Sequence, residues 1–261
     1  MIKKIFIFIP FLFLMSFLSV FAQELSIYTI NEPPLNFVKG NTINGVTTDI
    51  VREILKRTND NSAIETLPWP RAYEYAKKRK NVILFSMGRI PQRENMFKWV
   101  GPIARKRAML FARSGSGIKV EKLEDAKKVR TILTLRSDTQ DQYLKKHGFT
   151  NLYDLTTWRQ GLLMLLDDKG DLWTQKDLDV SLILREENVA SDRIEAVFIM
   201  FELYAYIGVS KNTSDEIVKR WQSTLDEIKR DGTYEKIIQK WARYYGVSNW
   251  IFKNGTLMVD Y

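Results

Sequence analysis

Asn81-Val-Ile-Leu-Phe-Ser86 indicates the fold of this 261-residue chain, because a short, unbroken apolar run is typical of a strand buried on both faces of a parallel sheet. Residues 71–80, just before it, predict a helix, and residues 63–67 predict an earlier strand. Further upstream, residues 47–57 place their apolar side chains on one helical face, and residues 25–30 alternate as a strand does. Alternating strands and helices predict a parallel sheet with crossover helices.

The same rhythm restarts after Ser114-Gly-Ser-Gly117, a flexible stretch that follows an apolar strand and is a candidate boundary between two lobes. The patterns beyond it predict helices over 120–127, 139–146, 158–166 and 178–187, and strands over 129–135 and 172–173. The last part of the chain predicts two more helices, of which the first is capped by Ser214. The sequence therefore predicts an α/β fold of two lobes that ends in a helical tail.

The N-terminus has the order of a secretory signal peptide. Lys3 and Lys4 precede an apolar run over residues 5–20, and Val20-Phe-Ala22 supplies small residues before a cleavage site. The alternative is a membrane anchor, but the run is shorter than the ~20 apolar residues that a spanning helix needs. We therefore expect residues 1–22 to be removed and the mature protein, which starts at Gln23, to be free in the periplasm.

The composition argues against several classes of site. The chain has no cysteine and one histidine, so disulfides and thiolate ligands are excluded and neither a zinc site nor another metal or cofactor is expected. The leader holds two of the 40 basic residues and no acid, which leaves 38 basic against 31 acidic residues and a net charge of +7. Because these charges are interspersed, we expect no nucleic-acid partner and a bias toward anionic ligands.

Four segments, in order along the chain, resemble segments of a known family. They are Asn31-Glu-Pro-Pro-Leu-Asn-Phe37 with Asn44-Gly-Val-Thr-Thr-Asp-Ile50, Pro68-Trp-Pro-Arg-Ala72, Ser86-Met-Gly-Arg-Ile-Pro-Gln-Arg-Glu94 with Phe97-Lys-Trp-Val-Gly-Pro102, and Lys229-Arg-Asp-Gly-Thr-Tyr-Glu-Lys236. Each segment is a weak signal alone, and their shared order makes the signal strong. In them the chain resembles the family-three extracellular solute-binding proteins of the polar amino-acid type, which are periplasmic components of ABC transporters.

The resemblance implies a type-two periplasmic-binding-protein fold, in which two α/β lobes joined by a two-strand hinge close around a ligand. Residues 23–110 and 204–261 are expected to form the first lobe and residues 111–203 the second, with the hinge near residues 110–111 and 201–204. The resemblance also implies a receptor rather than an enzyme, one that binds a small polar ligand carrying a carboxylate, such as an amino acid. Its expected partner is an ABC permease in the inner membrane, and the receptor is expected to be a monomer.

Arg93 is the residue that the resemblance places as the carboxylate clamp. A guanidinium holds a carboxylate with two parallel, charge-assisted hydrogen bonds, although a solvated arginine paired with its acidic neighbour is the alternative. Ser86 and Gly88 match positions that offer hydroxyl and backbone groups to the ligand. On the second lobe, Asp138 and Thr139 begin a helix whose free N–H groups suit an anion, and Asp138 is equally an ordinary helix cap.

Four further side chains are candidates for the same cleft. Arg89 and Arg71 add possible cations, and each can instead be a surface charge. Trp69 either stacks on the ligand or covers the edge of a lobe. Glu32 either receives an amine of the ligand or is a solvated acid of its loop.

The acid that binds the ligand's amine in this family has no clear counterpart. Gly170-Asp-Leu-Trp-Thr174 matches the strand that leads to it, but Lys176 stands near its position. Asp171, Asp177 and Glu32 remain candidates to replace it. This departure argues against an ordinary α-amino acid and favours a carboxylate or another anion as the ligand.

Two other classes of function remain open. A secreted lyase or dehydratase on the same fold could use a carboxylate and a lysine, for instance Glu32 with Lys176, for acid–base chemistry. A ligand-sensing module that reports occupancy to a membrane partner is the third possibility. A catalytic triad is not available with His147 as the single histidine.

Overall fold

The computed structural model describes residues 25–136 and 138–260. The predicted signal peptide, its cleavage site and Ser137 lie outside these ranges. Within them, no helix combines the length and the apolar character needed to cross a membrane.

The strands and helices largely follow the predicted rhythm. The strands are β1 Ser26–Thr29, β2 Phe37–Lys39, β3 Thr42–Asn44, β4 Ile64–Thr66, β5 Val82–Gly88, β6 Phe97–Arg113, β7 Ile132–Leu135, β8 Leu152–Leu155, β9 Leu172–Lys176, β10 Ile194–Ser210, β11 Trp250–Lys253 and β12 Thr256–Val259. The helices are α1 Val46–Arg57, α2 Trp69–Lys78, α3 Thr139–Lys146, α4 Trp158–Leu166, α5 Asp177–Glu186, α6 Asp215–Arg230 and α7 Thr233–Tyr245.

One large sheet connects the two halves of the molecule. Across the described ranges it has eight strands in the order β4-β1-β5-β10-β6-β9-β7-β8. β4, β1 and β5 are parallel at one end, and β9, β7 and β8 are parallel at the other. Between them, β6 and β10 form a long antiparallel pair of 17 residues each. The fold is therefore two α/β lobes joined by two strands.

Each lobe buries apolar side chains of its own. In the first lobe, Ile50 and Ile54 of α1 pack in one core with Trp221 of α6 and Trp241 of α7. Full burial of a side chain of this kind contributes about 1.5–3 kcal/mol. In the second lobe, Trp173 of β9 is fully buried together with residues of β7 and α4. The two C-terminal helices thus return to the first lobe.

The two long strands pass from one core to the other within a few residues. On β6, Ala104 belongs to the first-lobe core and Ala108 to a second-lobe core. On β10, Met200 packs in the second lobe and Ala205 in the first. The change of core thus falls between Ala104 and Ala108 on β6 and between Met200 and Ala205 on β10, and the lobe bounds stay a prediction.

The end of the chain differs from the predicted helical tail. β11 and β12 form a hairpin after α7, and its turn is Asn254-Gly255, with φ of 53° and 73°. Tyr234 of α7 anchors the hairpin, because its hydroxyl accepts a hydrogen bond from the Leu257 N–H at 3.2 Å. The helix predicted over 120–127 is also a shorter 3₁₀ helix, Leu123–Lys128.

Candidate functional site

A cavity of about 590 Å³ lies where the two long strands pass between the lobes. Its walls come from three sources: the first lobe supplies Ile30, Glu32, Trp69, Ser86, Gly88, Ile90 and Arg93, the crossing strands supply Lys106, Phe201, Leu203, Tyr204 and Ala205, and the second lobe supplies Asp138, Thr139, Gln142, Tyr143, Lys146 and Lys176. This volume is within the range of small-molecule sites.

The first-lobe wall is built around the end of β5. Ser86 is buried there with a φ of 63°, a conformation that non-glycine residues rarely adopt. Its hydroxyl lies 2.8 Å from the hydroxyl of Thr47, the second residue of α1. Gly88 ends the strand, and its carbonyl faces the guanidinium of Arg93. The strand end thus presents hydroxyl and backbone groups to the cavity.

Arg93 is held in place by its own lobe. It ends a 3₁₀ helix that begins at Pro91, and its Nη1 donates to the carbonyl of Gly88 at 3.0 Å. The guanidinium carbon lies 4.8 Å from the centre of the Trp69 ring and 5.4 Å from that of Tyr73. A guanidinium has five N–H donors, so this anchoring leaves donors that can bind an anion.

The second-lobe wall includes the start of α3. Asp138 caps this helix, because its Oδ1 accepts the Thr139 N–H at 2.7 Å. The hydroxyl of Thr139 donates to the side chain of Gln140 at 2.8 Å. The helix therefore supplies its own carboxylate to its N-terminus, which makes this end a weaker anion site than the sequence predicted.

Two lysines converge on one carboxylate in the cavity. Lys106 Nζ lies 2.6 Å from Glu32 Oε2, and Lys176 Nζ lies 3.8 Å from Glu32 Oε1. Lys176 also lies 3.9 Å from Asp179 of α5. We call Lys106 and Lys176 the lysine pair. The pair joins the crossing strand β6 and the second lobe to a loop of the first lobe.

Burial and charge oppose each other in this group. Burial on its own raises the pKa of Glu32, but the lysine pair outweighs it and the pKa is lowered. Burial lowers the pKa of Lys176, yet Asp179, Glu32 and Asp138 outweigh it and the pKa is raised. For Asp179, burial raises the pKa to about 7 against the attraction of Lys176. Glu32 and Lys176 are therefore charged at neutral pH.

Two predicted site residues do not line the cavity. Arg89 turns to the outer side of its loop, where its guanidinium pairs with Glu94 at 2.5 Å. Asp171 precedes β9, and its carboxylate accepts hydrogen bonds from the Arg130 and Thr131 backbone N–H groups. Both side chains have structural partners away from the cleft.

Two more candidates are also placed elsewhere. Arg71 is exposed and is not part of the cavity wall. Asp177 is fully buried below the cavity, where its carboxylate accepts the Arg107 Nε–H at 2.9 Å and the Arg107 backbone N–H at 3.0 Å. Of the acids considered as amine binders, Glu32 is the one that the structure brings into the cavity wall.

Several cavity residues were missed at the sequence level. Lys106 lies inside a strand, and its position at the passage between the lobes depends on the pairing of β6 with β10. Tyr143 of α3 meets Phe201 of β10 with ring centres 4.7 Å apart, and together they form an apolar wall. In the part of the chain that the structure describes, no group of His, Asp and Glu side chains is arranged to hold a metal ion.

The pKa of Asp179 makes a testable contribution to stability. An unfolded Asp titrates near 3.8 and the folded one near 7, so charging Asp179 costs stability as the pH rises between these values. We expect the free energy of unfolding of Asp179→Asn, relative to that of the wild type, to increase by about 1–3 kcal/mol as the pH rises from about 4 to about 8. Urea unfolding at a series of pH values measures this difference. Asp167→Asn, which changes an exposed acid, is the control. If the gain in free energy of unfolding for Asp179→Asn were as independent of pH as that of the control, the raised pKa of Asp179 would be wrong.

Residues 25–244 match the family model of the bacterial extracellular solute-binding proteins, family 3. No protein with a curated description matches the chain in sequence.

Solved structures share the fold at low sequence identity. A histidine kinase sensor domain with similarity to periplasmic binding proteins is 19% identical with a TM-score of 0.66, over 83% of this chain and 95% of that one. An ancestral arginine-binding protein bound to arginine is 19% identical with a TM-score of 0.63, over 84% and 97%. The GluR0 ligand-binding core from Nostoc punctiforme, in complex with L-glutamate, is 20% identical with a TM-score of 0.64, over 83% and 98%. These likenesses establish a type-two periplasmic-binding fold.

Proposed function

The chain belongs to family 3 of the bacterial extracellular solute-binding proteins, and we propose that it is an exported receptor that captures a small polar molecule bearing a carboxylate. In this proposal the signal peptide directs it to the periplasm, the ligand binds in the cavity between the lobes, and an ABC permease in the inner membrane receives the ligand. The charge of the cavity wall is the observation that supports the choice of ligand.

Cations outnumber acids around the cavity. The positive side chains are Arg93, Lys106, Lys146 and Lys176, and the negative ones are Glu32 and Asp138. The two acids are already engaged, Glu32 by Lys106 and Asp138 by the start of α3. An anion that enters the cavity meets a net positive wall, and closure of the lobes would exclude water and strengthen this attraction.

The shape of the cavity favours a small molecule with an apolar body. Phe201 and Leu203 of β10 and Trp69 of α2 line the space between the lobes. Apolar walls with a few placed polar groups are typical of sites that enclose one small ligand. Arg93 would orient such a ligand by its carboxylate, because its guanidinium is held in position before the ligand arrives.

A sensory role is the second candidate. The likeness to a histidine kinase sensor domain covers 95% of that domain, so the same fold can present ligand occupancy to a signalling partner. In that case the receptor would bind the same ligand, and its partner would be a membrane sensor instead of a permease. Co-purification of the ligand-loaded receptor with membrane proteins distinguishes the two partners.

A thermal-shift screen tests the proposed ligand class. We expect acidic or neutral carboxylates to stabilise the protein and the basic amino acids lysine and arginine to stabilise it less, because a buried contact between like charges is unfavourable. A ligand at about 100 times its Kd adds about 2.7 kcal/mol, which raises the Tm by about 5–10 °C for a chain of this size.

The control for this screen is sodium chloride and sodium sulfate at matched ionic strength, since a mature chain of net charge +7, with 38 basic and 31 acidic residues, responds to salt. If lysine or arginine gave the largest stabilisation, the anionic ligand class would be wrong and Glu32 would become the site that receives an amine.

A further inference from the structure

We infer that Lys176 binds a second acidic group of the ligand, so that the receptor selects a small dianion without an ammonium group. This inference rests on the proposed function, and it names the ligand class of the same cavity. It concerns the second-lobe wall of the cavity, where Lys176 ends β9.

Lys176 is a mostly buried cation whose ion pairs are long. Its side chain is 18% exposed and lines the cavity, and its nitrogen lies 3.8 Å from Glu32 and 3.9 Å from Asp179. An N–H···O hydrogen bond has a length of about 2.7–3.2 Å, so both contacts are electrostatic without being hydrogen bonds. The ammonium therefore keeps donors for an incoming group.

The acids of the cavity wall do not balance its cations. Glu32 is bound closely by Lys106 at 2.6 Å and stays ionised, so it compensates one lysine. Asp179 of α5 lies 3.9 Å from Lys176 and is not part of the cavity wall, and burial raises its pKa to about 7, so it is partly ionised at neutral pH. With Asp138 as the second acid of the wall, the four cations Arg93, Lys106, Lys146 and Lys176 leave two positive charges in excess, which a dianionic ligand would balance.

The positions of the two cations explain why two acidic groups are needed. Arg93 belongs to the first lobe, in the loop after β5, and Lys176 belongs to the second lobe. A ligand with one acidic group pairs with one of these cations and leaves the other with its protein partners alone. A dianion contacts both lobes at once, so its binding energy directly favours closure.

An ammonium group on the ligand is disfavoured at the same place. It would approach Lys176 as a like charge, and the nearest acid that faces the cavity, Glu32, is occupied by Lys106. Asp138 is the other acid of the wall: its Oδ1 caps α3, its Oδ2 is buried without a hydrogen-bond partner among the described residues, and its charge already acts on Lys176. The site therefore distinguishes a dicarboxylate from the corresponding amino acid.

Calorimetric titration with three matched compounds tests the inference. Glutarate, L-glutamate and pentanoate share one carbon chain and differ in the second carboxylate and in the ammonium group, and the series succinate, L-aspartate and butyrate repeats the comparison at a shorter length. We expect one dicarboxylate to bind about tenfold or more tightly than both its monocarboxylate and its amino acid. Lys176→Gln should reduce the affinity for the dicarboxylate by about ten- to a hundredfold and the affinity for the monocarboxylate by clearly less.

Lys169→Gln is the matched control, because this lysine is exposed on the second lobe and pairs with Asp167 outside the cavity. It should leave all affinities unchanged. A dicarboxylate preference that survives Lys176→Gln, or tighter binding of the amino acid, overturns the inference and leaves the proposed function standing. If none of the acids binds and a basic or neutral compound does, the proposed function fails as well.

Discussion

Arg93→Ala is expected to abolish the measurable binding of carboxylate ligands. Removing one partner of a buried, hydrogen-bonded charge pair costs about 2–5 kcal/mol, which corresponds to a loss of affinity of roughly thirtyfold or more. In the free protein the substitution removes the hydrogen bond to Gly88 and the stacking on Trp69. These contacts together contribute about 1–2 kcal/mol, so the variant should still fold.

Calorimetry with the best ligand of the thermal-shift screen measures this effect. Arg89→Ala is the matched control, because this arginine lies in the same loop but pairs with Glu94 outside the cavity. Its affinity should equal that of the wild type. An unchanged dissociation constant for Arg93→Ala would show that another residue holds the carboxylate.

Asp177→Ala should produce the largest loss of stability. Asp177 begins α5 and is fully buried, and it accepts hydrogen bonds from Arg107 of β6 and from the Leu178 N–H. Arg107 also donates to the carbonyl of Val259 in β12, so the pair ties the second lobe, the crossing strand and the C-terminal hairpin together. Breaking a buried ion pair by removal of one partner costs about 3–5 kcal/mol.

Urea unfolding measures the free energy of unfolding of Asp177→Ala, which is compared with that of two other variants. Asp167→Ala breaks an exposed pair with Lys169 and should change the free energy of unfolding by less than about 1 kcal/mol. The double variant Asp177→Ala with Arg107→Met removes both charges, and it should be more stable than Asp177→Ala alone. A change below about 1 kcal/mol for Asp177→Ala would show that the pair does not hold the lobes.

Much of the fold followed from local patterns, and the exceptions have physical reasons. The apolar run of β5 and the helical spacing in α1 and α6 predicted both the type and the approximate place of these elements. The hairpin β11–β12 was missed although Asn254-Gly255 is a strong turn signal, because its strands are four residues each and continue a helical region. The length of β10 could not be predicted, since its register with β5 and β6 is set by tertiary pairing.

The candidate site was predictable where a motif fixes the backbone. Ser86, Gly88 and Arg93 follow one strand and its loop, and all three line the cavity. Asp171 was misplaced because it lies at the start of β9 and the cavity lies at the end of that strand. Five residues of strand separate the two ends by about 16 Å. Lys176 lies at the cavity end of the strand, and the sequence had already placed it near the position of the family's amine-binding acid.

The lysine pair shows what sequence patterns leave open. Lys176 could be placed near the ligand, but its relation to Lys106 depends on contacts between residues that are far apart in the chain. Neither periodicity nor composition indicates that two lysines share the carboxylate of Glu32. Their approach follows from the passage of β6 between the lobes, which only the pairing of the long strands determines.

Native mass spectrometry of the protein with its most stabilising anion tests the central claim most directly. The measurement follows the mass of the complex and the mass of the released ligand over several hours. We predict a complex of one chain with one ligand, from which the ligand is recovered unchanged. The absence of any complex, or a released compound of altered mass, would contradict the account of a receptor that binds its ligand without converting it.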